Sequence, residues 1–262
     1  MSHLRHRIDG DLSIITLVNP PQNRITSKMS DELGEAVAQT AASGARALLL
    51  HAEGADFSYG GDIRPWPGLA TPALRQVLAR HLAVFNAFES LPIPTIAAVH
   101  GLCFGGGLEL AARADIVFAG ETARFGHPEQ SIGIVTLLGG IYRVAAKVGR
   151  AKAFEWALTS EQVPAVEVER RGLINRVVPD EKLLEEATAF ARRLAAGPTL
   201  AHAAHKALLK AWTVGGAGAA DEVLLDLAMP LFASDDVKLA IPAAIAALDA
   251  GKPRPVFDFK GR

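Results

Sequence analysis

Residues 4–8 and 12–18 are two β-prone runs joined by Asp9-Gly10, a pairing that predicts an antiparallel hairpin at the start of the chain. From Thr26 the spacing changes: Met29, Leu33, Val37 and Ala41 recur every four residues up to Ser43-Gly44, which predicts a helix with a glycine stop. Arg46–His51 and Thr95–Val99 are short apolar runs of the buried-strand type, and a helical pattern over Pro72–Ser90 separates them. The alternation continues with a small helix after Gly107, a strand over Asp115–Ala119, helices near Leu137–Lys147 and Ala151–Leu158, and a strand over Ile174–Val178. Apolar runs separated by helices predict crossover units and a parallel sheet covered on both faces. After Pro179 the pattern is helical throughout, with Gly215–Gly218 as a loop between helices. The chain therefore divides into an α/β part, residues 1–180, and a helical part, residues 181–262, whose apolar helices cap the first part or bind another subunit.

Composition narrows the partners. The 262 residues carry a net charge of −1, so no overall basic field favours nucleic acid or an anionic membrane. The longest stretch without formal charge, residues 90–108, contains two prolines and four glycines and is a poor membrane span. The N-terminus shows no signal-peptide pattern, and the single cysteine, Cys103, cannot form an intrachain disulfide; both favour a reducing, cytoplasmic location.

Candidate chemistry concentrates in Thr95–Leu110, where a strand runs through Gly101 into Gly105-Gly106-Gly107 and then into helix-compatible residues. Glycines at such a turn leave backbone N–H groups open to an anion or a developing oxyanion; tight helix-on-strand packing explains them as well. The stretch lacks the spacing of a dinucleotide fingerprint and the Lys of a P-loop. It does fit a nucleophile elbow, Gly101-Leu102-Cys103-Phe104-Gly105, with His127, His202 and His205 as candidate bases; a small buried cysteine is the alternative. Glu109 lies among apolar neighbours that would raise its pKa, or serves as a first-turn helix cap. Glu129, in the turn-rich Phe125–Glu129, reads alone as a solvated loop residue. Paired glycines in Phe57–Arg64 supply either an ordinary turn or a second exposed amide, and two convergent amides form an oxyanion hole.

Four motifs in order, Asn19-Pro20 with Asn23, Phe57–Ile63, His100–Leu110 and Phe125–Gly133, resemble the crotonase (enoyl-CoA hydratase/isomerase) superfamily over nearly the whole chain. The resemblance implies a ββα spiral core followed by a helical trimerisation region, hence a homotrimer or a dimer of trimers. It implies an acyl-CoA substrate whose thioester oxygen is held by the amides of Gly61 and Gly106, with Asp62, Ile63, Arg64 and Leu137 beside the substrate. Glu109 and Glu129 fall on the two glutamates of the hydratases, which implies hydration of a 2-enoyl-CoA, with no metal and no cofactor apart from the substrate's own coenzyme A. Glu109 would activate water and Glu129 supply the proton. An enoyl-CoA isomerase, a hydrolase using Cys103 and a non-catalytic acyl-CoA binder are the alternatives. The sequence departs from the hydratase pattern at Ile134–Gly140, where Thr136, Leu137 and Leu138 replace a proline-glycine pair and would reshape the acyl pocket. Arg64, Lys260 and Arg262 are candidate phosphate contacts, or solvated surface charges.

Overall fold

The computed structural model describes residues 2–262. The hairpin forms as β1 (Leu4–Asp9) and β2 (Leu12–Leu17), paired antiparallel. Thr26 caps α1 (Ser27–Ala42) by accepting a hydrogen bond from the Met29 amide, and Met29, Leu33 and Val37 form the buried stripe. The crossover pattern continues through β3 (Ala47–Ala52), α2 (Thr71–Glu89) and β4 (Thr95–Val99). Next come β5 (Leu102–Phe104), α3 (Gly106–Ala111), β6 (Ile116–Gly120), β7 (Arg124–Gly126), α4 (Gly140–Val148) and α5 (Arg150–Thr159). The short β8 (Val163–Pro164), α6 (Ala165–Arg170) and β9 (Arg176–Val178) complete the α/β region.

The main sheet has the order β1-β2-β3-β4-β6-β9, parallel from β2 onward. Its inner strands β3, β4 and β6 read as near-continuous apolar runs because both faces are covered. Leu48 and Leu50 pack into the cluster that holds Met29, Leu33, Phe85 and Phe88 of α1 and α2. Leu49 turns to the other face with Ile14, Ile96 and Phe118, and there α7 (Leu183–Ala195) closes the layer through Leu183, Ala187, Ala191 and Ala195. Burying one such Leu or Phe contributes about 1.5–3 kcal/mol. A second, three-stranded sheet, β5-β7-β8, escapes the hydrophobic pattern because its strands are only two or three residues long.

Two element boundaries correct the sequence reading. The helix expected from Leu137 starts at Gly140, because the Leu138 and Gly140 amides turn toward Glu109. The loop expected over Gly215–Gly218 is a break at one residue: α8 runs Thr199–Ala228, and Gly216 (φ 73°, ψ −167°) alone is non-helical. A 3-10 turn leads into α9 (Asp235–Asp249), capped by Ser234. The tail folds back on it, with Asp236 accepting from the amides of Lys260 and Gly261. No helix among the described residues is long and apolar enough to cross a membrane.

Candidate active site

The segment after β3 is laced to the strand-to-helix turn after β4. Ser58 N–H donates to Leu102 O, Phe104 N–H donates to Ser58 O, and a Cβ on Gly107 would lie 2.6 Å from Ser58 O, so α3 rests directly on this segment. On its other side, Ile25 N–H donates to Gly60 O and Asp62 N–H to Ile25 O, which fixes the peptide between them. Gly61 and Gly106 thus come side by side: a Cβ on Gly106 would stand 3.4 Å from the Gly61 nitrogen. Among the described residues neither N–H has a protein acceptor, the second because Gly106 opens α3. Two adjacent unsatisfied amides can stabilise an oxygen that gains negative charge during a reaction.

Glu109, in the first turn of α3, is 2% exposed. Its Oε1 accepts from the amides of Leu138 and Gly140, each at 2.8 Å. Arg113, one turn further along, donates to the Glu109 and Leu138 carbonyls and so ties α3 to the loop that supplies those amides. Burial pushes the Glu109 carboxyl up, while the two amides and the charges of Arg113 and Arg143 oppose it. Glu129, expected to be solvated, instead lies in the 3-10 turn Pro128–Ile132 with its side chain 12% exposed. Its Oε1 faces Gly105: a Cβ there would lie 3.1 Å away, and the φ of +50° at Gly105 independently favours glycine. Burial first, and then the charge of Glu109, raise the Glu129 carboxyl to about 7. The two carboxyls are therefore unequal. Glu109 has partners that favour its ionised form, whereas Glu129 Oε2 has none among the described residues.

Both carboxyls and both amides border one cavity of about 210 Å³. Of the residues expected beside a substrate, Gly61, Ile63, Gly106 and Leu137 line it, whereas Asp62 and Arg64 do not. Arg64 instead pairs with Asp62, at 2.7 and 2.8 Å, and is largely exposed. Lys260 and Arg262 pair with Asp258 and Asp235. The apolar wall comes from Ile25, Trp66, Leu78, Ile134 and Leu138, scattered over four segments; Ile134 and Leu138 lie in the stretch whose sequence pointed to the acyl pocket. Arg24, stacked over the Tyr59 ring at 4.8 Å, is the basic side chain on the wall apart from His81.

The nucleophile-elbow reading is corrected. Cys103 sits inside β5, paired with Phe125 and Ser58, is fully buried, and has its thiol pushed well above the ordinary value by desolvation. A buried, protonated thiol is not a nucleophile.

Comparison with known proteins agrees with this architecture. The family model for enoyl-CoA hydratase/isomerase matches residues 7–243. A Bacillus subtilis protein described as a probable enoyl-CoA hydratase is 35% identical over 74% of this chain and 77% of its own length. One of the same description from Rhizobium meliloti is 38% identical over 71% and 72%. Among solved structures, an enoyl-CoA hydratase from Mycobacterium smegmatis superposes with a TM-score of 0.84 at 28% identity, covering 97% of this chain and 98% of that one. The fold is that of the crotonase superfamily, as the four motifs implied. Within it, the chain belongs to the enoyl-CoA hydratase/isomerase family.

Proposed function

We propose that the protein is a 2-enoyl-CoA hydratase that adds water syn across the C2=C3 bond of an acyl-CoA thioester. The observation that carries this reading is the pair of unequal carboxyls, Glu109 buried and Glu129 half-buried, on the same cavity as the free amides of Gly61 and Gly106. The amides receive the thioester oxygen and draw electron density from the conjugated double bond, leaving C3 open to attack. Glu109, whose Oε1 is held by two amides that favour the carboxylate, activates water for C3. Glu129, protonated near neutral pH, delivers a proton to C2. The water supplies both the hydroxyl and, through the carboxyl pair, the replacement proton, so the enzyme returns to its starting state without a cofactor.

The apolar wall around Leu137 and Leu138 accepts the acyl chain, and Arg24 lies where it can meet a phosphate of coenzyme A. Exposed apolar side chains on α8 and α9, among them Leu209, Trp212, Leu225 and Ile245, suit contact between subunits of a homotrimer or a dimer of trimers. The test follows the loss of conjugated-thioester absorbance with a panel of 2-enoyl-CoAs. Glu109→Gln and Glu129→Gln should each lose at least about 10²-fold in turnover, the range typical of acid–base groups. Near-normal turnover by either variant would remove the two-carboxyl mechanism.

A further inference from the structure

His127 has no task in the hydration steps above, yet it lies against their proton donor. It is 2% exposed, two residues before Glu129, and neither ring nitrogen has a hydrogen-bond partner among the described residues. Glu129 Oε2 lacks a partner as well, and the two unsatisfied groups face each other, with His127 Nδ1 3.8 Å from Oε2. Buried polar atoms are seldom left unpaired, and catalytic hydrogen bonds often tighten only when substrate is bound. An approach of about 1 Å brings this pair within hydrogen-bonding distance. The imidazole itself is held in place, since a Cβ on Gly140 would lie 2.8 Å from its Cε1.

We infer that His127 is a positioning residue for Glu129: its Nδ1–H donates to Oε2 and thereby aims Oε1, the oxygen beside Gly105, at the bound substrate. This rests on the hydratase reading for its catalytic use, and on the His127–Glu129 geometry alone for the bond itself. The imidazole is neutral at pH 7, because burial pushes it down to about 4, so the contact is a hydrogen bond and not an ion pair. Besides burial, the groups that act on Glu129 are its own backbone N–H and, from α3, the charge of Glu109; α4 meets His127 with the backbone of Gly140; Arg113 and Arg143 act on Glu109.

The test combines His127→Leu, which removes the donor, with His127→Gln, whose amide restores one. Carbon-13 NMR of Glu-labelled protein follows the Glu129 carboxyl, assigned by the signal missing in Glu129→Gln. His127→Leu should raise its titration midpoint by about one pH unit, since a donated bond favours the carboxylate. The alkaline limb of the kcat profile, where the proton donor loses its proton, should move up with it. In that variant kcat should fall at least about tenfold with KM within about twofold, and His127→Gln should recover most of both. A midpoint that is unmoved or lowered, or no recovery with Gln, overturns the inference. Nitrogen-15 shifts of the unmodified protein, independent of any variant's folding, should place the ring proton on Nδ1; a proton on Nε2 also overturns it. A moved midpoint in a protein without enoyl-CoA turnover would refute hydration and leave the hydrogen bond standing, whereas turnover with an unmoved midpoint would do the reverse.

Discussion

Replacing Glu129 with Gln should make the protein increasingly more stable than the unmodified chain as pH rises from 4.5 to 7. Burial raises the folded-state carboxyl from 4.5 to about 7, and its side chain is only 12% exposed, so the displacement corresponds to about 3 kcal/mol. Below pH 4.5 the carboxyl is protonated in both folded and unfolded chains and adds no pH dependence. Between 4.5 and 7 the unfolded chain releases this proton while the folded chain keeps it, so stability falls as pH rises; above 7 the penalty is constant. The unmodified protein hides this slope. His127, depressed by burial from 6.5 to about 4, contributes an opposite one of similar size over nearly the same window. Folding, in effect, leaves the proton on the carboxyl that the unfolded chain would keep on the imidazole. Urea unfolding of the unmodified protein and of Glu129→Gln, at one protein concentration and at intervals from pH 4.5 to 8, reads the difference directly. Any constant offset from the Gln amide cancels in the pH dependence. A difference that stays flat across the window would refute the burial argument and, with it, a protonated Glu129 at neutral pH.

His127→Leu should show the complementary behaviour: relative to the unmodified protein it should gain about 3 kcal/mol as pH falls from 6.5 to 4, because the folded state no longer has to keep an imidazole neutral; the same unfolding series checks it. Gly106→Ala places a Cβ 3.1 Å from Ile25 Cδ1 and 3.4 Å from the Gly61 nitrogen, crowding the oxyanion position. Turnover should fall about 10²–10³-fold, as when one such donor is removed, with substrate binding measured by calorimetry much less affected. Gly140→Ala drives a Cβ to 2.8 Å from both Glu109 Cγ and His127 Cε1. Thermal unfolding should report a loss of about 1–3 kcal/mol, the usual effect of overpacking a core site.

Much of the site could be read in the chain because its pieces are local. Thr95–Val99 is an unbroken apolar run since both faces of β4 are covered, and the three glycines after Phe104 mark the place where α3 lies on Ser58. Glu109 stood out as a carboxyl among apolar neighbours, and its burial follows from the short helix it occupies. Glu129 did not, because the groups that bury it come from Gly105 and from the cavity wall, remote in sequence. Arg24 and Trp66 reach the cavity for the same reason and have no periodicity that marks them, whereas Leu78 belongs to the helical pattern of α2 but nothing in that pattern points it at the cavity. Arg64 illustrates the converse: its motif position is right for the cleft, but the side chain turns to Asp62 two residues back. Cys103 satisfied an elbow pattern only in spacing, since the residues around it extend as β5 rather than making a sharp turn.

The claim that water is added at C3 is tested most directly by turnover in oxygen-18 water, with the product analysed by mass spectrometry. The account predicts a 3-hydroxyacyl-CoA carrying one heavy oxygen, located on C3. A product of unchanged composition with a relocated double bond, or heavy oxygen only in a released carboxylate, would contradict it.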